Sequence, residues 1–149
     1  MNLYDLIVSR RTIRRFRQDS IPPETLDRMI DAGRLAPSAA NRQPVEFLLV
    51  DRPQRIAEVF ALIKWAGYIA PAGDPPEGKR PVAYILLIIN REKTPDPAAQ
   101  DAAAAAMNII YAGLADGVGA CWMAAIDRPA LKRIFGLPET REIDTLLAL

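Results

Sequence analysis

The sequence contains no histidine and a single cysteine, Cys121. Without histidine, a Ser-His-Asp or Cys-His catalytic system and a histidine-ligated metal site are excluded. One cysteine excludes an intramolecular disulfide and a Cys-x-x-Cys site, and we expect Cys121 to be an inert buried thiol. If the protein is an enzyme, we therefore expect a bound cofactor to carry its chemistry.

The chain also lacks a charge excess and long apolar runs. Its 149 residues suit one domain, and 19 basic against 18 acidic residues leave a net charge of +1, which argues against a protein that coats nucleic acid. The longest strongly apolar run, Ile85 to Ile89, is too short to span a membrane. The N-terminus lacks a basic region followed by an apolar core, so no signal peptide is predicted. We expect a cytoplasmic protein with no membrane partner.

Hydrophobic periodicity and turn residues predict elements in the order α, α, β, α, β, α, β, α, β. The predicted helices lie near residues 3–7, 22–37, 54–64, 97–116 and 127–136, and the predicted strands at 45–50, 82–89, 120–126 and 143–149. Prolines and glycines between Trp65 and Pro81 predict a long loop. Two helices before the first strand favour an α+β arrangement over a doubly wound fold.

An arginine-rich segment follows the first predicted helix. Five of the eight residues from Arg10 to Arg17 are arginine, interleaved with Ile13 and Phe16. Guanidinium groups bind phosphate through charge-assisted hydrogen bonds, so an anion site is one interpretation. The alternative is a solvated basic face that makes scattered salt bridges. The interleaved apolar residues favour a segment that is held against the core.

Two further segments combine small residues with polar ones. Residues 36–44 place serine, asparagine and glutamine between two prolines, which suits a planar heterocycle or, alternatively, an ordinary turn. Residues 117–127 begin Gly-Val-Gly but lack the third glycine and the following helix of a dinucleotide fingerprint. The small residues Ala124 and Ala125 would let main-chain N–H groups approach a flat ligand. The alternative is a helix end followed by a buried strand.

Taken together and in this order, three strings resemble the nitroreductase family of FMN-dependent oxidoreductases: Ser9–Phe16, Ala36–Pro44 and Gly117–Met123. The resemblance covers essentially the whole chain and implies a single FMN-binding domain, residues 1–149. It implies an α+β three-layer sandwich with helices around a mixed, mostly antiparallel sheet. It also implies an intertwined homodimer with FMN at the interface. NADH or NADPH would reduce the flavin, and small acceptors such as nitroaromatics or quinones would reoxidise it by ping-pong transfer.

The resemblance also implies site residues. Arg10, Arg11 and Thr12 would meet the FMN phosphate, ribityl chain and pyrimidine edge, with Thr12 in place of the more usual serine. Arg14 would place positive charge near the N1/O2 edge. Pro37 belongs to the same implied site, and the residues that approach from the partner subunit are Ser38, Asn41 and Gln43. The main chain near flavin N5 and O4 would come from Met123, Ala124 and Ala125.

Family members usually continue past the last strand into a tail that supplies a basic residue to the phosphate. We expect this tail to be short or truncated here, because the sequence ends at Leu149. One alternative function is a flavin-binding protein without turnover. Another is a superfamily relative that dehalogenates its substrate or fragments flavin. Neutral net charge and few nearby aromatics argue against a nucleic-acid module built on the arginines.

Two expectations concern larger elements. The loop from Trp65 to Pro81 is expected to border the substrate side of the flavin, with Trp65 and Tyr68 meeting acceptors; the alternative is a stiff connection. The polyalanine stretch from Ala102 to Ala106 is expected to pack closely at a subunit interface.

Overall fold

The computed structural model describes residues 2–94 and 98–149. Within them the helices are α1 (Leu3–Ser9), α2 (Pro23–Arg34), α3 (Pro53–Phe60), α4 (Ala99–Ala115) and α5 (Arg128–Ile134). The strands are β1 (Val45–Val50), β2 (Tyr84–Asn90), β3 (Cys121–Met123) and β4 (Arg141–Ala148). This is the predicted order of elements; Pro97, the predicted start of the fourth helix, lies outside the described residues. None of the helices described is long and apolar enough to cross a bilayer.

The strands form one sheet in the order β1-β2-β4-β3. β1 pairs along one edge of β2, with Val45 opposite Ile89. β4 pairs along the other edge, with Tyr84 opposite Ala148, and β3 places Cys121 opposite the same Ala148. Every strand pair in the described part of the chain is antiparallel. The α+β fold around a mostly antiparallel sheet is therefore confirmed.

Helices cover both faces of this sheet. On one face, Tyr84 of β2 packs in a core with Val59 of α3 and Leu131 of α5. On the other face, Ile85 packs in a core that includes Ile109 of α4 and residues of α2. Because both faces are buried, β2 is apolar at successive positions instead of alternating with polar residues. The result is the predicted sandwich of helices, sheet and helices.

The alanine-rich helix α4 packs mainly inside its own chain. Ala102, Ala105 and Ala106 are buried in the core shared with α2. The two helices approach so closely that a Cβ on Gly33 would lie 2.7 Å from Cγ1 of Ile109. The expectation of a subunit interface is therefore wrong for these three alanines, because the side chains are already covered within one chain. A charge at Ala105 would disrupt the fold of the single chain.

Two predicted boundaries are wrong for one shared reason. The helix predicted to reach residue 64 ends at Phe60, and the strand predicted to reach residue 126 ends at Met123. Beyond both ends, Ile63 and Ile126 form an isolated antiparallel bridge. Pairing between distant parts of the chain therefore replaces the local continuation of each element.

Candidate functional site

The arginine-rich segment follows α1 in an irregular conformation. The Ile13 N–H donates to the carbonyl of Ala120, immediately before β3, at 3.0 Å. The Phe16 N–H donates to the carbonyl of Lys79 at 2.9 Å, and the Phe16 ring is buried in the core. Two main-chain hydrogen bonds and one buried ring therefore hold the arginines in place.

Most arginines of this segment are not neutralised by a carboxylate. Arg17 pairs with a neighbouring aspartate at 3.4 Å, whereas Arg11 and Arg15 donate to main-chain carbonyls. Arg10 and Arg14 have no carboxylate within ion-pair distance among the residues described. A solvated face with scattered salt bridges does not fit this arrangement. The segment carries uncompensated positive charge, as an anion site requires.

Arg14 lies beside β3. Its Nε is buried and has no hydrogen-bond partner within residues 2–94 and 98–149. Burial raises the pKa of the Cys121 thiol, and the neighbouring Arg14 charge offsets only part of that rise. Cys121 is therefore buried, as expected, and its raised pKa favours the protonated thiol. The Arg14 Nε is a buried donor that a ligand acceptor could satisfy.

A cavity of about 520 Å³ lies against the same segment. Its lining includes Arg10, Arg11, Val118, Gly119 and Leu149. Thr12 and Arg14 are not part of that lining. Four arginines of the segment, Arg10, Arg11, Arg15 and Arg17, therefore line the cavity, whereas Arg14 lies beside β3.

Main-chain donors are available immediately after β3. Ala124 and Ala125 are exposed, and their N–H groups donate to no acceptor in the described residues. The Ala125 carbonyl accepts the N–H of Lys64 at 2.9 Å, which fixes the position of this main chain. Since Cys121 beside Arg14 lies two residues before Met123, the arginine segment and these donors are close together.

The loop between α2 and β1 has a strained backbone that side-chain hydrogen bonds hold in place. Three non-glycine residues, Ala40, Asn41 and Gln43, have positive φ angles of 51°, 54° and 50°, a conformation that costs on the order of 1–2 kcal/mol per residue. The Ser38 Oγ accepts the Gln43 N–H at 2.9 Å, and the Asp101 carboxylate accepts a further main-chain N–H at 3.2 Å. Strain held in this way is typical of binding loops rather than of ordinary turns.

A single chain does not bring this loop to the other two segments. The Asn90 N–H, at the last residue of β2, donates to the Pro44 carbonyl at 2.8 Å. Cys121 lies at the other end, where Ala148 pairs with both Cys121 and Tyr84. The seven residues of β2 span about 20 Å. The structure thus places the segment of Arg10, Arg11, Thr12 and Arg14 against the start of β3, the strand that leads to Met123, Ala124 and Ala125. The order β1-β2-β4-β3 separates both from the loop of Pro37, Ser38, Asn41 and Gln43, which precedes β1.

In the long loop before β2, Trp65 does not have the role that we expected of it, contact with the acceptor. This side chain is only 4% exposed, and its ring lies 6.3 Å from Phe16 and 5.7 Å from Phe60 between centroids. Trp65 is therefore a core residue and is not free to meet an acceptor. Tyr68 is 84% exposed and remains available for that role.

Two residues that shape these segments were not predicted. Asp101 holds the strained loop from the first turn of α4, and Lys64 holds the main chain after β3. Each contact joins segments that are far apart in the sequence. No local pattern marks either residue, so only the fold reveals them.

Comparison with known proteins identifies the chain. The model of the Nitroreductase family matches residues 7–149. The chain belongs to the nitroreductase family. A protein of Archaeoglobus fulgidus, provisionally named NADH dehydrogenase/NAD(P)H nitroreductase, is 30% identical over 155 residues, which cover 97% of this chain and 82% of that protein.

Two further relatives of this nitroreductase-family chain bear on its chemistry. A provisionally named nitroreductase from Desulfovibrio desulfuricans, solved in complex with FMN, is 27% identical with a TM-score of 0.81. The match covers 99% of this chain and 85% of that one. A 5,6-dimethylbenzimidazole synthase of Rhodobacter capsulatus is 28% identical over 160 residues, covering 91% of this chain and 76% of that protein.

Gly119 permits the close approach of the arginine segment. We expect Gly119→Ala to lower the free energy of unfolding by about 1–3 kcal/mol and to weaken FMN binding. The new Cβ would lie 2.6 Å from Cγ1 and 3.2 Å from Cβ of Ile13. Relief of this contact moves Ile13, and with it the flanking arginines, away from Ala120. Urea unfolding and FMN titration by flavin fluorescence measure the two effects.

Gly113→Ala is the matched control. Its new Cβ would meet the Cε of Met29 at 2.7 Å, but a methionine side chain has three rotatable bonds and adapts readily. Alanine also favours the interior of a helix by up to about 1 kcal/mol over glycine. We expect unchanged stability and FMN affinity. Equal losses in both variants would contradict a specific role for the Gly119 contact.

Proposed function

We propose that this nitroreductase-family protein is an FMN-dependent NAD(P)H oxidoreductase that reduces nitroaromatic, quinone or related acceptors. The proposal rests on Arg10 and Arg14, which have no carboxylate partner in the described residues, and on the free N–H donors of Ala124 and Ala125, which follow the strand beside Arg14. These groups match the chemistry of FMN, because the arginine cations can bind its phosphate and the N–H groups can donate to the acceptor-rich edge of its ring. The similarity to the FMN-bound Desulfovibrio protein supports the same cofactor.

Each residue then has a distinct task. Arg10 neutralises the phosphate, and Arg11 and Thr12 bind the ribityl chain and pyrimidine edge. Arg14 holds positive charge at the N1/O2 edge, where negative charge develops on reduction. The main chain of Met123, Ala124 and Ala125 orients the N5/O4 edge. Bound FMN supplies hydride transfer, which explains how a protein without histidine could carry out this reaction.

A second copy of the chain is proposed to complete the site. In one chain, the loop of Ser38, Asn41 and Gln43 lies beside the Asn90 end of β2. Met123 lies two strands away on β3, level with Leu86, which is about 13 Å from Asn90 along the strand. A homodimer would bring the strained loop of one subunit to the arginine segment of the other. The exposed apolar side chains of α1, which precedes Arg10 directly, offer a surface for this pairing.

The open side of the site is proposed to receive the two substrates in turn. NADH or NADPH would bind first and leave as the oxidised nucleotide, and the acceptor would then take the same place. Tyr68, exposed in the long loop, would border this side. Such ping-pong kinetics need no simultaneous binding of two substrates, so one open face of the flavin beside Ala124 and Ala125 would be sufficient.

Absorbance spectroscopy of the purified protein tests the cofactor and the turnover together. We expect flavin bands after addition of FMN and removal of the excess. Anaerobic NADH or NADPH should bleach these bands, and a nitroaromatic or quinone should restore them. A colourless protein would exclude the proposal, and bound FMN that no pyridine nucleotide bleaches would identify a flavin-binding protein without turnover.

A second candidate function follows from the similarity to a 5,6-dimethylbenzimidazole synthase over most of the chain. In that case the protein would consume flavin instead of recycling it. Chromatography of total FMN before and after aerobic incubation with NADPH separates the two functions. Constant FMN over many turnovers supports the oxidoreductase, and a stoichiometric loss of FMN supports flavin fragmentation.

A further inference from the structure

Lys64 lies beside the main chain that is proposed to meet flavin N5. Its N–H donates to the Ala125 carbonyl at 2.9 Å, and the Leu62 carbonyl accepts the Asp127 N–H at 2.9 Å. Together with the bridge between Ile63 and Ile126, these bonds make a short antiparallel pairing. The backbone of Lys64 is therefore fixed next to Ala125, whereas its side chain is exposed.

Several charged side chains of the adjoining segments have partners within the chain, whereas the Lys64 side chain has none among the described residues. The Arg80 guanidinium lies 4.3 Å from the centroid of the Phe60 ring, and Arg15 donates to two loop carbonyls. The Asp127 carboxylate accepts the N–H of Ala130 at the start of α5. The Lys64 ammonium makes no hydrogen bond or ion pair with any residue that the structure describes. It is a strongly hydrated point charge on a long flexible stem, which suits a carboxylate that arrives with a ligand.

We propose that Lys64 is a specificity-determining residue that binds the carboxylate of an aromatic acceptor, so that the protein prefers anionic acceptors over neutral ones of the same shape. This inference rests on the proposed function, because it places the acceptor ring over the flavin edge that Ala124 and Ala125 are proposed to orient. The small exposed alanines leave room for a flat ring, and a substituent at the edge of that ring lies within reach of the flexible Lys64 stem. The interaction adds binding energy at the periphery of the acceptor and takes no part in hydride transfer.

The test compares two acceptors of nearly equal shape, 4-nitrobenzoate and 4-nitrobenzamide. In flavin-loaded Lys64→Met we expect kcat/KM for 4-nitrobenzoate to fall about fivefold, the upper range for an exposed ion pair, with the amide unchanged. Equilibrium titration of the oxidised protein gives a readout without turnover: the Kd of benzoate, followed by flavin absorbance, should rise about fivefold, and the Kd of benzamide should not change. In the parent protein, salt should weaken benzoate binding.

Two further variants complete the design. Lys64→Arg should retain the preference for benzoate, since it keeps the charge. Lys132→Met removes a lysine of α5 that already pairs with Glu139, and it should leave both dissociation constants unchanged. If flavin-loaded Lys64→Met binds both ligands as the parent does, or if its affinity for both falls equally, the inference about Lys64 is overturned and the proposed function is not. A parent protein that binds no FMN overturns the proposed function as well, and its spectrum identifies that outcome at the start.

Discussion

Replacing Arg10 by alanine should weaken FMN binding by about 1.5–3 kcal/mol, which corresponds to roughly a 10- to 150-fold rise in Kd. Arg10 lines the cavity beside the arginine segment and has no carboxylate partner in the described residues. Its charge is therefore available for the FMN phosphate, and its loss would leave that phosphate without its main counter-charge. Quenching of flavin fluorescence during titration measures the Kd directly.

Riboflavin provides the decisive comparison, because it has the flavin ring and ribityl chain without the phosphate. We expect it to bind parent and Arg10→Ala with equal affinity. Arg55→Ala is the matched protein control, since Arg55 pairs with Glu58 on α3, does not line that cavity and should not affect either ligand. Equal weakening of FMN and riboflavin in Arg10→Ala would show that Arg10 supports the fold of the site instead of binding phosphate.

The sheet was largely predictable from the sequence. β1 has its predicted bounds, Val45–Val50, and β2 begins two residues later than predicted and ends one residue later. Apolar runs flanked by proline and glycine mark both strands, and the continuous apolar character of β2 correctly indicated burial on both faces. These features depend on composition within each segment, which the sequence displays directly.

Contacts between distant segments account for the predictions that were wrong. The helical pattern continues to Ile63, yet α3 ends at Phe60 because Ile63 pairs with Ile126 instead. Trp65 sits in a loop rich in proline and glycine, where exposure was expected, but its ring fills the space between Phe16 and Phe60. In each case a tertiary contact overrides the local pattern, and the sequence contains no sign of the partner.

The candidate site was likewise predictable only in part. The strings around Arg10, Ser38 and Met123 were identified from the residues and their resemblance, and the fold brings the first and the third together. It does not bring the loop of Ser38 to them, because that loop lies beside β1 and the Asn90 end of β2, and two strands separate β1 from β3. The position of Lys64 beside Ala125 follows only from the main-chain hydrogen bond between them, which the sequence does not indicate. Residue types were therefore predictable, whereas their arrangement was not.

Disrupting the surface of α1 should abolish the proposed dimerisation and strongly weaken flavin binding. None of the seven residues of α1 is buried in the single chain. Ile7 and Val8 are 46% and 48% exposed, beside the still more exposed Leu3 and Tyr4. A helix this short is marginal in water by itself, and a contiguous apolar patch on it indicates a partner surface.

We therefore expect the double variant Ile7→Glu, Val8→Glu to sediment as a monomer. Two carboxylates in a closed interface would lose their hydration without a partner, which strongly disfavours association. The FMN Kd should rise by more than about 100-fold, because the loop of Ser38, Asn41 and Gln43 from the second copy would be lost. Sedimentation equilibrium and FMN titration on the same sample measure the two effects.

The fold of the single chain separates this outcome from simple unfolding. Ile7 and Val8 are exposed in one chain, so the far-ultraviolet circular dichroism of the double variant should keep most of the parent signal. Ala57→Glu, which adds a charge at an exposed position of α3, should remain dimeric and flavin-bound. A monomeric double variant that still binds FMN tightly would show that one chain holds the flavin alone, and the shared site would have to be abandoned. A double variant that stays dimeric would place the interface elsewhere than on α1.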